Sequence, residues 1–289
     1  MKLNDLFLET RAKLRNAGLP ASELEAEWII GHAFGMSAIE RIQRPERIVT
    51  PLESEKVKNI LSRRMKGEPL AYILGEKDFF GFKFTVTPNV LIPRPETEHL
   101  VERALEWAQD NFLKDEPVEL LDLGTGSGCI VVTLLLLIPE LKAVAVDISD
   151  DALEVARENS VKHGVRERLE LVKGDAGDVS ALLNERKFDC VLANPPYVES
   201  SDASVAESVR KYEPSIALFS SGLKGLEISS MWIAELPKLL KRQRSAAGVE
   251  FGYNQAREIE EFFRRTGIFA KHEIVRDYSG HERLIWGMT

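Results

Sequence analysis

The sequence predicts an α/β fold: a doubly wound, mostly parallel seven-stranded sheet with an antiparallel terminal hairpin, preceded by a small N-terminal helical bundle. Three observations carry this prediction. Val118–Gly128, VELLDLGTGSG, reads as a buried strand, a glycine-rich turn and a helix start. From there, strand and helix patterns alternate toward the end of the chain. The last two strand candidates are linked only by Asp277–His281, which forces an antiparallel pair, because a parallel crossover needs about a dozen residues or more.

In chain order, residues 3–16 set Leu3, Leu6, Phe7 and Leu14 near one helical face, and Gly18-Leu19-Pro20 ends the run. Ser22 followed by Glu25 reads as a capping box, with Leu24, Trp28, Ile29, His32 and Ala33 at helical spacing behind it. His32 reads as packing or surface, not as a ligand. A short helix is expected over 37–43 and another over about 52–66, after Thr50-Pro51. Within the latter, Lys56, Lys58, Arg63, Arg64 and Lys66 stand without an acid between them. That run is either a solvated face or a docking surface for an anionic partner. The bundle is too small for a rich core of its own.

Asp78–Val86 alternates loosely and reads as a β-hairpin joining the two domains. Val90–Glu98 follows, in which Pro93 and Pro95 make a stiff, extended approach around Arg94 to a helix over 97–111. That stretch is a ligand rim or a hinge. Strands are then expected at 118–123, 142–147, 169–173, 188–193 and 247–251, with helices at 128–138, 150–163, 178–185, 223–241 and 254–266. Ala270–Arg276 and Glu282–Trp286 form the closing hairpin.

Composition excludes several classes. With 44% hydrophobic and 29% charged residues the chain is ordinary globular material. Its longest apolar run, Ile130–Ile138, is a buried helix and too short for a membrane span, and the N-terminus does not read as a secretory signal. The two cysteines, Cys129 and Cys190, sit in apolar contexts and read as core thiols in a reducing, cytoplasmic setting. The net charge is −8, yet residues 1–75 hold 12 Lys/Arg against 10 Asp/Glu, which leaves −10 on the rest. An acidic main domain argues against nonspecific nucleic-acid binding and against direct DNA contact. The five histidines form no cluster, so no metal site is expected.

Ligands of doubly wound sheets sit outside the carboxyl ends of the strands, and four features converge there. The loop with Gly124, Thr125, Gly126 and Gly128 offers backbone N–H groups and little bulk, suited to the amino-acid or sugar part of a nucleoside cofactor. Its GxGxG spacing differs from the GxGxxG of dinucleotide sites. Asp147, 23 residues beyond Gly124, ends the next strand and can accept ribose hydroxyls. Asp175 ends the third strand, placed to reach an adenine amine. Asn194-Pro195-Pro196-Tyr197 ends the fourth. Prolines there cannot donate but keep their carbonyls, so the loop is a stiff acceptor surface. The Asn194 side-chain oxygen and the Pro195 carbonyl can each take one N–H of a target NH2, while Tyr197 stacks on the flat group. Orientation and electrostatic placement would then do most of the catalysis, without a strong general base.

Leu121–Gly128 together with Asn194–Tyr197 resembles the amino-directed methyltransferases that use S-adenosyl-L-methionine (AdoMet). Ile92-Pro93-Arg94-Pro95-Glu96-Thr97-Glu98, Tyr212-Glu213-Pro214 and Ala217-Leu218 narrow the resemblance to the HemK/PrmC family of peptide-chain release factor glutamine N5-methyltransferases, nearly end to end. The resemblance implies a class I methyltransferase (Rossmann-like) fold. It divides the chain into a helical substrate-recognition domain at 1–70, a hairpin linker at 71–93 and an AdoMet-dependent domain at 94–289. It implies methyl transfer to the glutamine of the Gly-Gly-Gln motif in class I release factors, by a chain expected to be monomeric. AdoMet would be held by Gly124, Thr125, Gly126, Gly128, Asp147, Asp175, Asn194, Arg94 and Pro95, and the target by Glu96, Asn194, Pro195 and Tyr197, with Asn194–Tyr197 catalytic. The chain departs from the family at Ala176, where an aromatic is common, in the loop Phe219–Gly225, which is one residue longer, and at Gly252-Tyr253-Asn254-Gln255. The alternative reading is a DNA or RNA amino-methyltransferase, with a flipped base in place of the glutamine amide.

Overall fold

A computed structural model describes residues 1–113, 116–221 and 223–289 of the chain. Gly222, inside the loop expected to be long, lies outside the described residues. The chain divides into two units, Met1–Glu76 with Glu207–Tyr212, and Lys77–Ala206 with Glu213–Thr289.

The first unit is helical: α1 (Leu3–Asn16), α2 (Ser22–Phe34), α3 (Ala38–Gln43), α4 (Pro51–Met65) and α5 (Leu70–Leu74). Leu3, Leu14, Ile29, Ile30 and Val57 are fully buried between them. Ser37 and Thr50 cap α3 and α4 through reciprocal bonds with Glu40 and Glu53. The capping box read at Ser22 and Glu25 does not form. Ala21 takes the cap position, and Glu25 instead receives Arg64 of α4 through two hydrogen bonds of 2.8 Å. Ser22 is the first helical residue of α2, so it cannot act as the cap, and the Glu25 carboxylate is committed to a bidentate ion pair inside the bundle. Arg63 likewise pairs with Glu68, so the basic run of α4 is partly neutralised.

The hairpin β1 (Glu76–Phe79) and β2 (Phe82–Thr85) starts on the last residue of the first unit and opens the second, followed by α6 (Glu98–Asn111). Next come β3 (Val118–Leu123), α7 (Cys129–Leu137), β4 (Leu141–Asp147), α8 (Asp150–Lys162), β5 (Leu169–Lys173), α9 (Val179–Leu182) and β6 (Cys190–Ala193). A two-residue strand, β7 (Val198–Glu199), follows; α10 (Glu207–Tyr212) belongs to the first unit. The remainder is α11 (Ser215–Leu218), β8 (Phe219–Ser220), α12 (Glu227–Leu239), β9 (Ala246–Glu250), α13 (Ala256–Thr266), β10 (Lys271–Arg276) and β11 (Glu282–Met288).

The seven-stranded sheet runs β10-β11-β9-β6-β3-β4-β5. Neighbours from β9 to β5 are parallel, and β11 enters antiparallel between β9 and β10. This is the expected mixed α/β architecture of a Rossmann-like methyltransferase. Two apolar layers flank it, one carrying Leu120, Leu192 and Ile130, the other Leu121, Val191 and Trp232. The order reverses at β3: the chain runs outward from β3 through β4 to β5, then returns from β5 to β6 on the other side of β3, and a crevice opens there.

Some boundaries moved for local reasons. The helix expected over 223–241 starts at Glu227, because Lys224 has φ of +61° and breaks the run. The fourth strand starts at Cys190, after Phe188 makes only an isolated bridge to Leu240. The short parallel pair β7–β8 carried no alternating pattern and was not expected.

Candidate active site

The turn after β3 is built to approach a ligand closely. Gly124, Gly126 and Gly128 all have positive φ, at +69°, +54° and +77°. Gly124 and Thr125 donate to the Val146 carbonyl at 2.8 and 3.1 Å, which ties the turn to the end of β4. A Cβ at Gly124 would stand 2.7 Å from the Trp232 ring, and one at Gly128 would press on Ala156. Asn159, fully buried on α8, joins the Ser127 carbonyl to both backbone groups of Thr85 and so fixes the hairpin against the loop.

Asp147 ends β4 with its carboxylate already oriented: Oδ2 accepts the Gly126 N–H at 2.9 Å and Oδ1 the Ser149 N–H at 3.0 Å. Burial raises its pKa, and those N–H groups oppose the rise. Each oxygen keeps a lone pair for a further donor. Asp175 caps a short turn by accepting the Gly177 N–H at 2.8 Å.

Asn194 follows β6, which lies beside β3 on the side away from β4. Its Nδ2 donates to Thr97 Oγ1 at 3.1 Å. Arg94 donates to Glu213 at 2.7 Å, and the other oxygen of Glu213 accepts the Ile92 N–H at 3.2 Å. The proline-rich segment ahead of α6 is thereby held by a carboxylate that is only 1% exposed.

One cavity of about 350 Å³ is bounded by these elements, within the size range of ligand pockets. Its wall includes Gly124, Thr125, Gly126, Asp147, Asp175, Ala176, Asn194, Pro196 and Arg94. Gly128, Pro95, Glu96, Pro195 and Tyr197 are not on that wall. The Tyr197 hydroxyl instead donates to Glu250 at 3.0 Å. Thr97, from the proline-rich segment of the family motif, also lines the cavity, and among the lining residues not picked out from sequence are Ile148, Met231 and Trp232. Met231 and Trp232 come from α12, which packs beside the turn holding Ala176, so apolar bulk from another element stands where an aromatic was missed. No local motif announces them; their proximity arises from packing across the sheet. The residues present fit a nucleoside-bearing cationic ligand: a bulk-free glycine turn, an oriented carboxylate, an apolar slot and acceptors at its far end.

Comparison with known proteins gives matching signals over both units. Residues 5–75 match the PrmC N-terminal domain, and residues 98–279 match a methyltransferase domain. A release factor glutamine methyltransferase of Nitratidesulfovibrio vulgaris is 39% identical over 98% of this chain and 94% of its own length. One from Chlorobaculum tepidum is 36% identical, covering 96% and 94%. A bifunctional methyltransferase of Rickettsia bellii is 35% identical over 94% of this chain, which spans 52% of that protein. Among solved structures, the N-terminal domain of human METTL16 in complex with SAH matches at 17% identity over 82% of each chain, with a TM-score of 0.52; that likeness shows the fold alone.

Proposed function

Because the chain belongs to the release factor glutamine methyltransferase family, we propose that it methylates the side-chain amide N5 of the glutamine in the Gly-Gly-Gln motif of class I peptide-chain release factors, with AdoMet as donor. The observation that carries the reading is a shared cavity: the glycine turn and Asp147 form one part of its wall, Asn194 and Pro196 another.

AdoMet supplies a methyl group on a sulfonium, already activated for transfer to nitrogen. Gly124–Gly128 and Asp147 would hold its amino-acid and ribose parts, while Asp175, Ala176, Met231 and Trp232 would enclose the adenine. Arg94, kept in place by Glu213, borders the same space. Asn194 Oδ1 and the Pro195 carbonyl would each accept one N–H of the target amide. Held by two acceptors, the amide nitrogen is fixed in plane and its lone pair aimed, so positioning lowers the barrier. The proton leaves after the nitrogen becomes cationic, and no strong base is required. Tyr197 acts from behind the loop, and Glu96 and Pro95 shape its approach.

The first unit would contact the release factor, with the basic face of α4 as one candidate surface. The chain would work as a monomer. The acidic main domain supports a protein target over direct DNA contact. A substrate belonging to the translation apparatus would put the reaction in the cytoplasm. Among the described residues no helix is long and apolar enough to cross a membrane.

The test incubates the purified chain with labelled AdoMet and release factor, then repeats with the target glutamine replaced by alanine. Label is expected on the first factor and absent from the second. Equal labelling of both rules out that glutamine as the acceptor.

A further inference from the structure

Beyond β9 the chain turns at Gly252 and enters α13, with Gln255 at the cap position. The Gln255 side chain does not cap that helix. It is 2% exposed and folds back across the turn instead. Its Oε1 accepts the Gly252 N–H at 2.7 Å, while Nε2 donates to two carbonyls, that of Tyr197 at 2.8 Å and that of Lys224 at 2.5 Å. With an N–H on one side and two carbonyls on the other, only this orientation of the carboxamide satisfies all three partners. Asparagine offers the same planar set of one acceptor and two N–H donors, but one methylene closer to the backbone.

The two carbonyls belong to opposite flanks of the cavity. Tyr197 closes the target-binding loop, whose Asn194 and Pro196 lie on the cavity wall. Lys224 precedes the turn into α12, whose Glu227, Ile228, Met231 and Trp232 lie on the same wall. The two backbones run in direct contact. A Cβ on Gly225, where φ is +68°, would stand 2.6 Å from the Tyr197 carbonyl oxygen and 3.0 Å from the Glu199 nitrogen. The ladder that joins these segments, β7 with β8, is only two residues long, too short to fix their spacing alone. Both helices are anchored independently, α12 by Ile233, Leu236 and Leu239 and α13 by Ile259 and Phe263, all buried in one apolar layer. Removing the Gln255 carboxamide therefore releases the target loop and leaves α12 in place.

We infer that Gln255 is a positioning residue that holds the target-binding loop and the entry to α12 at one spacing, so that the target amide and the methyl donor stay aligned for transfer. The inference rests on the glutamine N-methylation proposed above. Gln255 is not on the cavity wall and acts only through the two carbonyls it joins.

The test uses the full chain with Gln255→Asn and Gln255→Met. Asparagine is favoured at helix starts, so it preserves the beginning of α13, yet it falls short of the two carbonyls. Methionine keeps the length and removes the polar atoms. Turnover is counted per AdoMet site titrated by calorimetry, so a smaller folded fraction does not register as slower chemistry. Both variants are expected to lower kcat per site about tenfold or more, with AdoMet affinity and the release-factor KM within about threefold of wild type. Gly225→Ala, which forces the same two backbones apart, should give the same split. The chain carrying both Gln255→Asn and Gly225→Ala should be no more than about twofold slower than the slower single variant, because both break one link. The inference is overturned if Gln255→Asn keeps more than about half of kcat per site, if its loss matches a loss of AdoMet affinity, or if its effect and that of Gly225→Ala multiply. A Gln255→Asn chain that does not fold also overturns it, since a structural role then accounts for the residue; should only Gln255→Met fail to fold, Gln255→Asn decides alone. A wild-type chain that leaves release factor unmethylated overturns the proposed function; an active wild type with an equally active Gln255→Asn overturns only the inference.

Discussion

Arg94 and Glu213, far apart in sequence, meet at 2.7 Å, and the same carboxylate takes the buried Ile92 N–H at 3.2 Å. One side chain thus pins both the backbone and the cation of the proline-rich segment. Glu213→Ala leaves the Ile92 N–H without a partner and Arg94 half-exposed. It should cost about 1–3 kcal/mol in urea unfolding. Glu213→Gln, which retains one acceptor oxygen, should recover part of that. A loss below about 0.5 kcal/mol for the alanine variant would show that the clamp does not hold the segment.

The glycine turn gives a graded prediction. At Gly124 a Cβ meets both a positive φ and the Trp232 ring at 2.7 Å, whereas at Gly126 it meets a positive φ in open space. Gly126→Ala should cost about 1 kcal/mol of stability from backbone strain. Gly124→Ala should cost more, and should weaken AdoMet binding about tenfold or more, because Trp232 must shift out of the cavity wall. Equal affinities for the two variants in calorimetry would remove Trp232 from the binding site.

These residues show what sequence could and could not reveal. Gly124–Gly126, Asp147, Asn194 and Pro196 could be placed at the cavity from sequence because each belongs to a contiguous pattern at a strand end, where topology decides the location; Pro195 and Tyr197 of the same loop are not on its wall. Trp232 and Met231 were not singled out, since their places on the cavity wall depend on how α12 packs over the sheet. Glu213 could be read as part of a motif, but its bond to Arg94 could not. Ser22 misled for the converse reason: a local cap signal was present, and a distant arginine took Glu25 away.

Asp122, next to last in β3, is fully buried, with no hydrogen-bond partner on either oxygen. Desolvation pushes its pKa from 3.8 up to about 7, and the Thr125 hydroxyl nearby offsets only part of this. The folded state therefore keeps a proton that the unfolded state releases, across the window from about pH 4 to pH 7. Stability from this group is complete below that window, is lost as pH rises through it and is level above it. Asp122→Asn removes the titration. Between pH 5 and pH 8 it should gain about 2–3 kcal/mol on the wild type in chemical denaturation. Parallel stability curves for the two proteins would place an ionised Asp122 in the fold at both pH values.

Asn194→Ala separates target orientation from cofactor binding. The variant should bind AdoMet within a few-fold of wild type, because the glycine turn and Asp147 remain. Methyl transfer should fall by about a hundredfold or more, as the target amide loses one of its two acceptors. Turnover equal to wild type would defeat the role given to Asn194.

The most direct measurement localises the methyl group. Release factor incubated with the wild-type chain and AdoMet is digested, and the peptide carrying Gly-Gly-Gln is sequenced by fragment mass. The account predicts a single added methyl on the side-chain amide nitrogen of that glutamine. A methyl on any other residue, or an unmodified peptide beside an AdoMet-consuming enzyme, would contradict it.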